Sequence, residues 1–302
     1  MEFDFTFSVI IATYNRPAQL KRCLQTLTEQ NFSANDFEVV VVNDGGEISL
    51  KPLETYFKHA INLTLIKQKN SGPATARNRG ASLAKGRYLA FIDDDCQPEP
   101  EWLYCIYDKI TQHTGAMIGG KIMNDRGNGI FGTASQMILD LVYQFYNSDP
   151  KEARFFSACN MAVPTDRFRE LGGFNTSFRT AEDRELCSHW VGQGFSMIYA
   201  ADAVVVHVDH VFNLFGYIQR YFAYGRGARR FHKSQALKGS ASFNKAVTFH
   251  AHLGEWLLYP FSQTRELKVF ILPFLMILWQ LSNAAGFVWE LLSEKGTEKS
   301  GR

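Results

Sequence analysis

The sequence predicts an α/β protein built on a parallel sheet, and three observations carry that prediction. Short β-branched apolar runs recur early in the chain, helical stretches separate them, and three of the runs end in a polar cluster. Strands apolar on both faces and joined by helices belong in a sheet covered on both sides, and the ligands of such sheets collect beyond the strands' carboxyl ends. The clusters Thr13-Tyr14-Asn15-Arg16, Asn43-Asp44-Gly45-Gly46 and Asp93-Asp94-Asp95 are therefore expected to meet at one edge.

The run FSVIIAT from Phe7 to Thr13 reads as the first strand, and Tyr14 to Pro17 as the turn that starts a helix. In that helix Leu20, Cys23, Leu24 and Leu27 fall at i, i+3, i+4 and i+7, one buried stripe. Strands follow at Glu38 to Val42, Leu63 to Lys67 and Tyr88 to Ile92, with a helix from Pro73 to Ala84 between the last two. After about residue 115 the alternation loosens into a strand near Met117 to Ile122, a helix near Ile130 to Tyr146 and an apolar piece at Phe155 to Val163, as in a mixed sheet. Gly172-Gly173 marks a turn, then Glu182 to Val191 reads as a helix and Ala203 to His207 as a closing strand. These elements place one domain at residues 1–210 and a helical extension at 211–302.

Composition agrees with a folded chain of this size: 302 residues, 46% hydrophobic and 21% charged. The formal charge of +2 gives no whole-molecule field that favours nucleic acid, and no nucleic-acid partner is expected. Five cysteines without CxxC spacing cannot form a complete set of disulfides, which fits a reducing compartment, and Cys96 beside three aspartates is the one that bears watching. Acidic Glu2 and Asp4 stand where a secretory signal carries basic residues, so export is not expected.

Several residues can carry chemistry, each against a plainer reading. Three adjacent carboxylates at Asp93 to Asp95 repel one another unless a cation shares the site, and hard oxygen ligands suit Mg2+ or Mn2+; a solvated acidic turn has the same sequence. Asp44, after four valines and before two glycines, can hold a ligand's ring donor or ribose hydroxyl, or be an ordinary turn aspartate. The stretch Asn70 to Gly80 starts as a loop and continues as a helix, so Arg77 or Arg79 can meet an anion or stay solvated. Glu182-Asp183 opens a helix, where a carboxylate serves as a general base or simply satisfies the helix end. His207 ends a strand as a metal ligand or a core histidine. No GxGxxG or GxxxxGK[ST] loop is present.

Together TYNR at 13–16, VNDGG at 42–46, GPATARNRG at 72–80, FIDDDC at 91–96 and AEDREL at 181–186 resemble the family 2 glycosyltransferases in order and spacing, over roughly residues 7–210. The resemblance implies the GT-A fold, a mixed central sheet flanked by helices, and single-displacement transfer that inverts the anomeric carbon. It implies a nucleotide-diphospho-sugar donor, UDP-sugar favoured, and a glycan, polysaccharide or lipid-linked acceptor. Thr13, Tyr14, Asn15, Arg16, Asp44, Arg77, Asp93 and Asp94 would serve the nucleotide-sugar, with Asp95 and His207 on Mn2+ or Mg2+ at a DXD-type motif and His210 the substitute for His207. Asp183 would be the base with Glu182 the alternative, and Asn160, in the stretch 157–162, would touch donor sugar or acceptor.

Beyond Val208 the chain turns aromatic and basic, with Arg220, Arg226, Arg229, Arg230 and Lys233 in one helical region that can face anionic head groups or solvent. Val269 to Trp289 has the length to cross a bilayer, Pro273, Gln280, Ser282 and Asn283 weaken that reading, and an interfacial or re-entrant helix competes with it. The resemblance thus places the protein on the cytoplasmic side of a membrane through these helices. The competing functions are a non-catalytic nucleotide-sugar-binding scaffold and a nucleotidyltransferase.

Overall fold

The computed structural model describes residues 3–125, 129–208, 213–238, 242–264 and 266–300. In chain order the elements are β1 (Phe5–Thr13), α1 (Pro17–Thr28), β2 (Phe37–Asp44), α2 (Lys51–Phe57), β3 (Asn62–Gln68), α3 (Pro73–Leu83), β4 (Gly86–Asp93), β5 (Cys96–Pro98), α4 (Trp102–Gln112) and β6 (Met117–Asn124). Then come α5 (Gly129–Tyr146), β7 (Met161–Pro164), α6 (Thr165–Glu170), α7 (Glu182–Gly192), β8 (Met197–His207), α8 (Leu214–Leu237), α9 (Ser242–Ala251), α10 (Leu253–Gln263), a 3-10 turn at Leu267–Phe270 and α11 (Leu272–Ser300).

The chain divides into two compact units. The first comprises Met1–Met123 and Tyr146–Val208, the second Asn124–Phe145 and Asp209–Arg302. The boundary expected at residue 210 differs in one element, because α5 belongs to the second unit. Its buried residues, among them Ser135, Ile138 and Leu141, form part of a helical core, and the Tyr221 hydroxyl lies 3.1 Å from the Ser135 hydroxyl. A local apolar pattern says that a helix is buried, but not which core it joins.

An eight-stranded sheet in the order β3-β2-β1-β4-β7-β6-β8-β5 organises the first unit. The strands β3, β2, β1 and β4 are parallel, and β7 pairs antiparallel with both β4 and β6. All eight residues of β2 are buried, as its valine run requires for a strand covered on both faces. On α1 the buried residues are Leu20, Cys23, Leu24 and Leu27, the stripe expected from the sequence.

Parallel pairing brings the carboxyl ends of β1, β2 and β4 side by side: Thr13 lies opposite Asn43, and Ala12 opposite Asp93. The short β5 pairs antiparallel with β8 so that Cys96 faces His207, which fetches a residue from more than a hundred positions away to the same edge.

Candidate active site

At the end of β1, the buried Thr13 hydroxyl donates to Asp94 Oδ2 at 2.6 Å. Arg16 Nη1, on a half-exposed side chain, reaches Asp94 Oδ1 at 3.3 Å and Asp95 Oδ2 at 2.9 Å. His207 Nε2 lies 3.4 Å from Asp95 Oδ1. Burial pushes the Asp94 carboxyl up to about 6, with the Thr13 hydrogen bond and Arg16 opposing and the charges of Asp95 and Asp93 adding. For His207, burial pulls the imidazole down, and the hydrogen bond and charge of Asp95 more than reverse it, to about 9. Three carboxylates in a row thus gather cationic partners around them, as like charges at this spacing demand.

Asp44, at the end of β2, turns its carboxylate back on its own loop. It accepts from Gln68 Nε2 at 2.7 Å and from the backbone amides of Ser71 and Gly72 at 2.9 and 2.8 Å, which fixes the start of α3. Asn15, with φ of 55°, accepts from the Glu47 amide at 2.8 Å and ties the first loop to the second. The Tyr14 ring is half-exposed.

Of the two arginines on α3, Arg79 is exposed and Arg77 is buried. Arg77 Nη2 meets Asp93 Oδ1 at 2.6 Å and Nη1 meets Glu182 Oε1 at 2.9 Å. Burial works against the guanidinium charge, and the two carboxylates outweigh it and raise its pKa. One side chain therefore ties the end of β4 to the start of α7.

Three acidic residues, Glu182, Asp183 and Glu185, occupy the first turn of α7, where the helix dipole favours them. Only Glu182 is spent on Arg77. Asp183 is partly exposed and accepts from the Arg184 amide at 2.7 Å. Burial first, then the charge of Glu182, pushes the Asp183 carboxyl up to about 7, against the pull of the Arg184 and Ala158 amides and of Arg77. The helix is entered through Ala181 at φ 69° and ψ 18°, a left-handed conformation that costs a side-chain-bearing residue energy.

Asn160, expected beside the donor sugar or acceptor, lies in the interior. Its side chain is fully buried, with Oδ1 accepting from Trp102 Nε1 at 2.8 Å and Nδ2 donating to the carbonyls of Lys121 and Ala203 at 2.9 Å each. This amide braces α4, β6 and β8, as an amide at that depth must find partners. His210 lies outside the described residues.

The residues present suit a divalent cation. Asp95, Cys96 and His207 each bring a donor atom to within 4.8 Å of one another. A carboxylate oxygen and an imidazole nitrogen serve Mn2+ or Mg2+, and the Arg16 guanidinium already rests on that carboxylate from a half-exposed position. The Cys96 thiol is fully buried, which raises it well above its ordinary pKa, and its soft sulfur is a poor match for a hard ion. Sequence reasoning passed over Gln68 and Ala181. Gln68 had a readable signal as a polar residue ending an apolar strand, whereas nothing in the sequence marks Ala181 as left-handed.

A family model described as Glycosyl transferase family 2 matches residues 8–172. Among curated proteins, the chain is 27% identical over 222 residues to the glycosyltransferase AglE of Haloferax volcanii, covering 73% of this chain and 72% of that protein. Among solved structures it is similar to the mannosyltransferase PcManGT from Pyrobaculum calidifontis, in complex with GDP-Man and Mn2+, with a TM-score of 0.69 and 17% identity over 94% of this chain and 87% of that one. It is also similar to S. aureus TarS 1–349 in complex with UDP-GlcNAc, with a TM-score of 0.56 and 16% identity over 97% and 92% of the two chains. At these identities the structural likeness is one of fold, the GT-A arrangement of a mixed sheet between helices.

Proposed function

The chain belongs to glycosyl transferase family 2 and is a glycosyltransferase, and from that premise we propose an inverting transfer from a nucleotide-diphospho-sugar to a hydroxyl of a glycan or lipid-linked acceptor. The observation that carries the reading is the pair of Arg77 contacts, to Asp93 at 2.6 Å and to Glu182 at 2.9 Å. They hold the acidic strand end, which suits the donor side, against the acidic helix start, which suits the acceptor side.

In this reading Asp183 takes the proton of the acceptor hydroxyl as its oxygen attacks the anomeric carbon, and the bond from that carbon to the diphosphate oxygen breaks. A carboxyl pushed up to about 7 suits a base working near neutrality, and Glu182, neutralised by Arg77, serves as support. Asp95 and His207 would hold Mn2+ or Mg2+, which would supply positive charge to the departing diphosphate. Thr13 orients Asp94, Asp44 holds the loop that opens α3, Tyr14 and Asn15 line the first loop, and Arg16 would have to leave Asp95 for an ion to bind there.

The candidate donor nucleotides are UDP, which the family resemblance favours and TarS binds as UDP-GlcNAc, and GDP, which PcManGT binds as GDP-Man. The helical second unit attaches the protein to a membrane, and the five free thiols of the first unit suit a reducing, cytoplasmic face.

The test is product analysis with UDP- and GDP-sugars, with and without Mn2+ or Mg2+. Metal-dependent release of nucleoside diphosphate with an inverted product is expected. Pyrophosphate released from a nucleoside triphosphate would mark a nucleotidyltransferase, and donor binding with no turnover on any acceptor would mark a scaffold.

A further inference from the structure

The second unit carries an apolar face that its own fold leaves uncovered. Phe274, Ile277, Leu281, Val288 and Leu292 of α11 follow one another at three-, four- and seven-residue steps and are all exposed, Phe274 to 70% and Leu281 to 62%. Residues so spaced share one side of a helix. The segment Leu272–Glu294 of α11 also has the length and composition to cross a bilayer.

The other side of α11 is bound to α8. Tyr217 Oη donates to the Leu275 carbonyl at 3.0 Å near the start, and Arg226 Nε and Arg230 Nε reach Glu290 at 2.7 and 2.6 Å farther along. Arg229 and Lys233 reach Glu294 at 2.8 and 3.3 Å. Both numberings rise together, so the two helices run parallel. Midway they touch backbone to backbone: a methyl group on Gly225 would strike the Asn283 carbonyl, and one on Gly286 that of Phe222. Whatever depth α11 takes in a membrane, α8 takes with it.

Crossing a bilayer would therefore pull Arg220 of α8 into hydrocarbon beside α11. The chain must also return from the end of α8 to the start of α11 through α9 and α10, which pack on α8 and α11 and carry the exposed Lys245 and Glu255. Each such group is expensive in a bilayer interior. Lying in the plane of one leaflet asks only the exposed stripe to enter, with the ion-paired side of α11 turned outward.

Charge selects the lipid over a second copy of the chain. The second unit has thirteen Lys and Arg against eight Asp and Glu, whereas the first has nineteen against twenty-two. A cationic unit with an apolar stripe matches an anionic leaflet, and two such units facing each other would repel. Trp289, 59% exposed at the border of the stripe, suits the head-group level.

We propose that the second unit binds in the plane of one leaflet of an anionic bilayer through the α11 stripe and does not cross it; this rests on the membrane attachment inferred above. The test uses the full chain with a short tag appended after Arg302 and vesicles of phosphatidylcholine alone or with phosphatidylglycerol. Sedimentation should show binding to the anionic vesicles, weakened by at least about tenfold in Phe274→Asp/Leu281→Asp. Both positions are exposed, so this variant should keep its fold and its nucleotide binding. Protease added outside intact vesicles should remove the tag from every bound molecule. A tag protected until detergent is added would overturn the in-plane arrangement and leave membrane attachment standing. Failure to bind any vesicle, with a dimer that the double variant dissociates, would overturn both.

Discussion

Two acidic clusters in the first unit differ in how their charge is held. At the end of β4, Asp93, Asp94 and Asp95 are met by Arg77, Arg16 and His207. At the start of α7, Glu182 shares Arg77, whereas Asp183 is held by main-chain amides and its carboxyl is pushed up to about 7. In the proposed reading this difference divides the labour of a transfer reaction: carboxylates surrounded by cations would serve an ion and a diphosphate, and a carboxylate tuned near neutrality would move a proton.

The sharpest break of that comparison is Asp183→Asn, which keeps the shape and removes the proposed base. Turnover should fall by about 10²–10⁴-fold while donor affinity stays within a factor of two or so. In the unaltered protein the carboxylate is the working form, so kcat should rise with pH through about 7 and be lost as pH falls below it. Near-normal turnover in Asp183→Asn would move the base to Glu182. A profile flat from pH 5 to 9 would detach the raised carboxyl from catalysis.

Arg77→Met tests the bridge between the clusters. The guanidinium is buried, and removing it leaves Asp93 and Glu182 crowded without their shared cation, so stability should drop by about 3 kcal/mol in urea unfolding. Arg77→Lys should recover part of this, since one ammonium cannot span both carboxylates as the planar fork does. A loss below about 0.5 kcal/mol would mean that the two clusters hold their places independently.

Asp95→Ala probes the cation-rich end by itself. Mn2+-dependent donor binding, measured by calorimetry, should weaken by at least about tenfold, with metal-free binding little changed. Equal affinity with and without Asp95 would transfer the ligand role to Asp93 or Asp94.

Much of this contrast was legible in the sequence. Apolar runs ending in Thr13, Asp44 and Asp93 announce parallel strands with a common polar edge, and the structure puts them there. What stayed hidden depends on contacts distant in sequence. Helical spacing leaves Arg77 and Arg79 alike, and only the packing of α3 buries the first and exposes the second. The family resemblance of residues 157–162 gave Asn160 a ligand role, whereas Trp102 and two carbonyls on other elements engage its amide. The three-residue β5 is too short for any periodicity to reveal, although its pairing with β8 is what sets His207 against Asp95. On α4, Trp102, Leu103, Ile106 and Ile110 do form a readable buried stripe, and the helix escaped notice beside stronger motifs.

The smallest expected effect concerns how Asp183 is delivered. Ala181 enters α7 at φ 69°, where its methyl group costs about 1–2 kcal/mol that glycine would not incur. Ala181→Gly gives back part of that gain as extra freedom in the unfolded chain, so the net stabilisation should be about 0.5–1 kcal/mol, read from the urea midpoint. Turnover then decides what the strain is for. If kcat is unchanged, Arg77 and the amides of Arg184 and Ala158 suffice to place the base, and Ala181 is a tolerated cost of turning the chain into the helix. If kcat falls while stability rises, the left-handed alanine restricts the first turn of α7, and the base owes its position to backbone strain as much as to the bridge.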